Sequence, residues 1–301
     1  MIPAFPKLFA IGTVYIQDIF NGPVEVSEKI DGSQFAFGKV NGALQMRSKG
    51  AELYADNPEK MFSKAIEHVV SIQDKLLEGM VFYAEYLRSP RHNILKYDRV
   101  PTNHLMLFGA YNSVADFWHR GRGLEVIADE LGIELVPRIG DGVILLGAGS
   151  MAQLLDRDSV LGGCKIEGVV VKNYYRPVVL GNTVLPIMGG KYVSEAFKET
   201  HGKRWSKEET KTGRMDKFYD SFRTEARWLK AVQYLRDSGQ LLQEPKDIGA
   251  LMKRIHQDID DEEMENIKRW LWREFGSQVK RKATQGMAEW YKEQLLLGTF
   301  K

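Results

Sequence analysis

The segment Ser27-Glu28-Lys29-Ile30-Asp31-Gly32-Ser33 sets one lysine two residues before an Asp-Gly turn. A strand ending near Glu28, followed by that turn, presents the Lys29 amine at a strand tip as a candidate nucleophile. An ordinary lysine is a poor one, because a pKa near ~10.4 leaves well under ~0.1% of the amine neutral at pH 7. Nearby positive charge or desolvation releases the proton. Arg47, Lys172 and Lys191 are the candidate sources of that charge. Two carboxylates also stand in apolar surroundings. Glu85 interrupts the run from Met80 to Tyr86, and a buried carboxylate is costly unless paired or bound to a metal or hydroxyl. Glu167 precedes Gly168 and three valines. The glycine permits close backbone approach, and the carboxylate is a candidate Mg²⁺ ligand.

These residues need elements to position them. Residues 24–28 and 34–40 alternate with period two, and Asn41-Gly42 after the second run is a strong hairpin signal. Residues 43–47 form the expected return strand, with Arg47 brought beside Lys29. Residues 80–86, 104–110 and 168–172 also read as strands, whereas apolar spacing predicts helices over 58–77 and 115–131. After about residue 197 the spacing turns helical: Phe218, Phe222, Ala226 and Leu229, then Ile248, Leu251, Met252, Ile255 and Ile259, then Met264, Ile267, Leu271 and Phe275. Gly239 and Pro245 mark a break between helices. Asp260 with Glu263 reads as a helix start, and the polar run His201–Gly213 as a linker. The pattern is α+β with mainly antiparallel strands in residues 1–200, followed by a small all-helical domain in residues 201–301.

The chain has 301 residues, 44% hydrophobic and 27% charged, which is enough for a sizeable core without disulfide or metal staples. Its single cysteine, Cys164, excludes an internal disulfide framework and suits a reducing, intracellular setting. Cys164 itself reads as a small buried hydrophobe. No signal peptide is apparent, and no apolar run approaches the ~20 residues of a membrane span. Net charge is +2. From His201 onward, 21 Lys+Arg face 17 Asp+Glu, against 21 and 23 in the first 200 residues. The helical part is therefore mildly basic, weak support for contact with a phosphate backbone. His92 and His104 read as structural histidines. Trp228, Trp270, Trp272 and Trp290 read as helix-packing anchors.

The order of the motifs resembles the covalent nucleotidyltransferases, which include ATP-dependent DNA ligases, RNA ligases and mRNA-capping guanylyltransferases. The series is Lys29-Ile30-Asp31-Gly32, Arg47-Ser48-Lys49-Gly50, Phe82-Tyr83-Ala84-Glu85-Tyr86, Leu107-Phe108-Gly109, Glu167-Gly168-Val169-Val170-Val171-Lys172 and Gly190-Lys191-Tyr192. Within the superfamily it looks most like RNA ligases of the phage T4 nick-sealing type. It departs from them at Asp31, where the T4-type enzyme has histidine, and at Val193, where the last motif usually carries a second lysine.

The resemblance implies a ligase adenylation domain over residues 1–200 with the nucleotide held between sheets. Lys29 would carry AMP from ATP as a phosphoamide. Glu28 and Ile30 would adjoin the adenine, Arg47 the ribose or phosphates, Glu85 the ribose hydroxyls, and Phe108 would stack on the purine. Glu167 would bind Mg²⁺, with Mn²⁺ as an alternative. Lys191 and Lys172 compete for the α-phosphate. Helices in place of a second β-barrel suggest RNA rather than DNA, gripped through backbone shape. Lys203, Arg204, Lys280, Arg281 and Lys282 are the candidate contacts. The expected partner is a nicked RNA duplex or broken RNA ends, with RNA/DNA hybrid or DNA as alternatives, acted on by a cytoplasmic monomer with no membrane role. A compact DNA ligase, a capping-type guanylyltransferase and a non-catalytic nucleic-acid-binding module stay open as other readings.

Overall fold

Thirteen strands and six helices are described in a computed structural model covering residues 2–56, 58, 60–139, 153–180, 183–193, 211–298 and 300. The strands are β1 Leu8–Ala10, β2 Glu25–Lys29, β3 Ser33–Val40, β4 Ala43–Ser48, β5 Glu52–Leu53, β6 Met80–Tyr86, β7 Leu105–Asn112, β8 Phe117–His119, β9 Glu134–Leu135, β10 Gly168–Asn173, β11 Val178–Leu180, β12 Thr183–Leu185 and β13 Met188–Val193. The helices are α1 Ser63–Ser71, α2 Arg122–Leu131, α3 Lys211–Asp220, α4 Glu225–Asp237, α5 Asp247–Ala283 and α6 Met287–Leu297. The chain divides into two compact units, Met1–Ile255 and His256–Lys301.

Together with the two-stranded β11–β12 sheet, two larger sheets build the first unit. One has the order β1-β13-β10-β2; the other runs β5-β4-β3-β6-β7-β8, with β9 added to β7. The chain leaves the first sheet at Lys29, the last residue of β2, and enters the second at Ser33. Alternation assigns the faces of the large sheet. Phe35 and Phe37 point into a core shared with Phe62 just before α1, Ala65, Ile66 and Val69 of α1, and Leu124, Ala128 and Leu131 of α2. Gln34 and Ala36 lie on the opposite face, where Gln34 pairs with Glu85 and Ala36 with Tyr83 and Arg47. The small sheet buries Val26, Val169 and Val171 against Ile16, Ile19 and Met188 on its other side.

The Asn41-Gly42 hairpin forms as its sequence predicts, with both residues at positive φ (55° and 74°) and both amides donating to the Glu78 carboxylate. Two helices are shorter than the apolar spacing predicts. α1 spans only Ser63–Ser71, after which a 3₁₀ turn at Gln73–Lys75 drops Leu76 into the core. In the 115–131 region only Arg122–Leu131 is helical. The Asn112 side chain accepts the amides of Val114 and Ala115, reversing the chain so that Phe117–His119 pairs with Ala110–Asn112. The paired strand then stacks Trp118 on Tyr83.

In the helical part, Gly239 and Pro245 fall between α4 and α5 as expected. Asp260 does not start a helix. It lies inside the 37-residue α5, which begins at Asp247, whose carboxylate fastens the preceding loop by accepting the amides of Leu242, Gln243 and Glu244. Trp228, Trp272 and Trp290 are about half exposed rather than packed, and Cys164 is only partly buried. The polar run 201–210 lies outside the described residues, and so do Lys203 and Arg204. No helix among the described residues is long and apolar enough to cross a membrane.

Gly168 permits the close pairing of β10 with β13. A Cβ there would stand 2.4 Å from the Tyr192 carbonyl oxygen and 2.8 Å from the Val193 Cα, neither of which can swing away. Gly168→Ala is expected to lower stability by about 1–3 kcal/mol. Gly249→Ala in α5, with no atom within 4 Å of the new Cβ, is expected to be neutral or slightly stabilising. Urea midpoints of the two variants check this pair.

Candidate active site

Lys29 and Gly168 are opposite each other across the β2–β10 ladder, which brings the preceding Glu167 to the lysine tip. The Lys29 Nζ donates to both Glu167 oxygens, at 2.7 and 2.6 Å. Side-chain exposure is 26% for Lys29 and 11% for Glu167, so the pair is shielded but reachable. Burial pulls the Lys29 amine down. The carboxylates of Glu167, Glu85 and Asp31 outweigh it and hold the amine above its ordinary pKa. Burial likewise raises the Glu167 carboxyl, against the opposing pull of Lys29 and Lys191. Glu85 is raised to about 8, chiefly by burial and further by the charges of Glu167, Asp237 and Asp31, with Lys29 acting in the other direction.

Two of these carboxylates, Glu85 and Glu167, share one ammonium. Glu85, raised to about 8, would shed its proton on binding a cation, and with Glu167 would then offer oxygen donors suited to a hard divalent ion. Among the described residues no group of three His, Cys, Asp or Glu side chains is placed to hold an ion. Mg²⁺ fits a two-carboxylate site because it keeps water and substrate phosphate oxygens as its other ligands.

The residues flanking Lys29 anchor it from both sides. The Glu28 carboxylate accepts the Ser159 hydroxyl at 2.6 Å and the Val160 amide at 3.2 Å, and burial raises its pKa. Ile30 is buried among Leu87, Tyr97, Met106, Val136 and Leu161. The Asp31 carboxylate accepts the amides of Ile94 and Leu95, both at 2.8 Å, while its own amide donates to the Tyr97 hydroxyl at 2.8 Å. The turn is thus fastened to the loop that follows β6, and β6 carries Glu85.

Phe108 owes its position to a bulge. Tyr83 pairs with Gly109 and Ala84 with Leu107, leaving Phe108 as the extra residue of β7. Its ring meets Phe5 edge-on at 5.0 Å, and its carbonyl accepts the Lys172 amine at 2.6 Å. Lys172 is buried, ion-paired with Glu25 at 3.2 Å and 6.0 Å from the Phe108 ring centroid. Lys191 pairs with Val170 on β10 and acts electrostatically on Glu167. By strand alternation Lys29, Lys172 and Lys191 share one face of the small sheet. Arg47 donates to the carbonyl oxygen of Ile2 at 3.3 Å and acts electrostatically on Tyr83.

Lys280, Arg281 and Lys282 occupy the last turn of α5, with the Lys280 amine 5.5 Å from the Trp272 ring centroid. Sequence reasoning missed Ser159, Tyr97 and the partnership of Ser33 with His92. Ser33 and His92 are hydrogen-bonded at 2.9 Å. His92 Nδ1 accepts the Arg88 amide, so Nε2 carries the proton and donates to Ser33. Burial, with Arg236 and Arg88 adding to it, lowers His92 to about 4 and keeps it neutral. Only the fold brings these residues together, and no local pattern marks them.

The family model described as RNA ligase matches residues 22–184, more than half of the chain. Among solved structures the chain is similar to the Naegleria gruberi RNA ligase. A variant of that enzyme with ATP and Mn gives a TM-score of 0.51 at 15% identity, over 65% of this chain and 56% of the other. A second variant in apo form gives 0.50 at 16%, over 67% and 58%. A third with AMP and Mn gives 0.50 at 14%, over 65% and 57%. The chain therefore spans little more than half the length of these structures. No curated protein sequence matches it.

Glu85 yields a prediction whose sign can be worked out. Its folded pKa of about 8 lies above the ordinary 4.5. Between those values the folded chain binds the extra proton, so the group's contribution to stability falls as pH rises. Glu85→Gln removes that dependence. Its melting temperature should gain steadily on wild type from pH 5 to pH 8, and the two should converge near pH 4.5. A difference that stays flat over this range contradicts the assignment.

Proposed function

Because the chain belongs to the RNA ligase family, we propose that it is an ATP-dependent RNA ligase that works through an AMP-bearing Lys29. The observation that carries this reading is the Lys29–Glu167 pair beside Glu85, at the crossing between the two sheets. The Lys29 nitrogen attacks the α-phosphorus of ATP, a phosphoamide bond forms and the bond to pyrophosphate breaks. The AMP then passes to a 5′-phosphate end. A 3′-hydroxyl attacks that activated phosphate, forming a phosphodiester and expelling AMP.

The residues divide the work by position. Phe108, raised on its bulge, is the face on which the purine stacks, with Lys172 fixing its backbone from below. Lys191 meets the α-phosphate, a role that its electrostatic action on Glu167 supports. Lys172 holds that role only if it releases Glu25 and the Phe108 carbonyl. Glu85 accepts the ribose hydroxyls, and Arg47 meets the ribose or phosphate region. The Glu28 side chain is engaged by Ser159 and Val160 and its amide donates to the Pro137 carbonyl, so the adenine-edge role falls to the Glu28 carbonyl oxygen. Ile30 supports the turn from within the core.

In the resting geometry Lys29 is an ammonium and cannot attack. A divalent cation bound at Glu167 would neutralise that carboxylate and the triphosphate, which lowers the amine pKa. The solved Naegleria gruberi enzyme contains Mn together with ATP, which supports Mg²⁺ or Mn²⁺ as the ion here. Polynucleotide contact is assigned to the helical part, with Lys280, Arg281 and Lys282 as backbone ligands. Lys203 and Arg204 are candidates outside the described residues.

Sealing of a nicked duplex with a 5′-phosphate tests the reading. With ATP and Mg²⁺, wild type should join a strand ending in an RNA 3′-hydroxyl faster than its DNA counterpart, and Lys29→Ala should fall to background. Equal or faster joining of all-DNA nicks would move the assignment to a DNA ligase. Joining by Lys29→Ala would refute the covalent mechanism.

A further inference from the structure

We propose that helix α4 is a positioning part of the lysine site, with Gln233, Arg236 and Asp237 holding the Asp31–Ser33 turn that sets the Lys29 backbone. The inference rests on the reading of Lys29 as nucleophile. Gln233 Nε2 donates to the Gly32 carbonyl oxygen at 3.0 Å, and Asn93 Nδ2 donates to the same oxygen at 2.9 Å. Arg236 donates to the Asn93 side-chain oxygen and, at 3.4 Å, to the His92 carbonyl oxygen. Ser33 takes a hydrogen bond from His92 and passes its own hydroxyl proton towards the Asp237 carboxylate, which Gln233 also contacts. Asp237, Ser33 and His92 are all buried.

The turn has little room to move on its other side. A Cβ at Gly32 would stand 2.9 Å from the Tyr86 carbonyl oxygen and 3.1 Å from the Glu85 carboxylate. Helix α4 also presses on the β4–β5 turn, where a Cβ at Gly50 would stand 3.2 Å from the Tyr234 ring and 3.3 Å from the Ser238 Cβ. The helix therefore spans from the lysine turn to the turn after Arg47, and it lies about 200 residues away from both in sequence. Lys29 ends β2 immediately before the clasped turn, so a displacement of the turn displaces the amine relative to Glu167. Misplacement of a nucleophile by about 1 Å costs on the order of a hundredfold in rate. The bonds of the three α4 side chains go to the turn and its neighbours, and Asp237 also acts on Glu85 through its charge, which Asp237→Asn removes while keeping the acceptor for Ser33.

The test compares Asp237→Ala, Asp237→Asn and Gln233→Ala with wild type in single-turnover formation of AMP-bound Lys29 across ATP concentrations, with melting temperatures alongside. Asp237→Ala should slow the step at saturating ATP about tenfold or more, with the ATP KM within about twofold and the melting temperature little changed. Asp237→Asn keeps an acceptor for the Ser33 hydroxyl and should recover most of the rate. A wild-type rate in Asp237→Ala overturns the inference, and so does a loss that asparagine does not rescue. If Asp237→Ala fails to fold, Gln233→Ala decides: a slower step at unchanged KM supports the inference, and a wild-type rate overturns it. Absence of any adduct on wild type overturns the ligase reading and this inference together, whereas a normal Asp237→Ala overturns this inference alone.

Discussion

The ion pair between Lys29 and Glu167 is the constraint around which the first unit is organised. It forms because β2 and β10 pair in a register that sets Lys29 opposite Gly168. Gly168 in turn lets β13 approach so closely that no side chain could stand there. Removing one partner from a buried pair costs on the order of 3–5 kcal/mol. The quarter-exposed lysine side chain makes the cost here smaller. If Lys29 is the nucleophile proposed above, the interaction serves to park its amine more than to stabilise the fold.

Parking and reactivity conflict, and the surrounding charges show how the conflict is managed. A lone lysine among Glu167, Glu85 and Asp31 stays protonated. Under the proposed function, a divalent cation entering with the triphosphate would relieve that hold on the amine. Lys191 tips the balance on one side of Glu167, and Glu85, raised to about 8, on the other. Asp31 has a separate task. Its carboxylate is occupied by two backbone amides, so it shapes the turn while adding to the local field.

The positions of the candidate residues were legible in the sequence because they lie on or beside strands with clear period-two patterns. Lys29 at the end of β2, Glu85 within an apolar strand and Glu167 before a glycine could each be placed from local signals. The Phe108 bulge could not, since alternation carries no mark of an extra residue and only the pairing partners of β7 reveal it. The region 115–121 was misread because Phe117, Trp118 and Leu124 have helix-like spacing. The Asn112 turn and the stacking of Trp118 on Tyr83 override that spacing. The break expected at Asp260 failed for a similar reason: a capping pattern is only permissive, and α5 runs through it. The clasp made by Gln233, Arg236 and Asp237 joins residues about 200 positions apart and leaves no local trace.

The most direct test of the account is the intact mass of the chain after incubation with ATP and Mg²⁺, beside Lys29→Ala shown to be folded. The account predicts that wild type gains the mass of one AMP, that the gain maps to Lys29, and that the variant gains nothing. A folded, initially unmodified wild type that gains no mass with ATP, or an equal gain on Lys29→Ala, would contradict it.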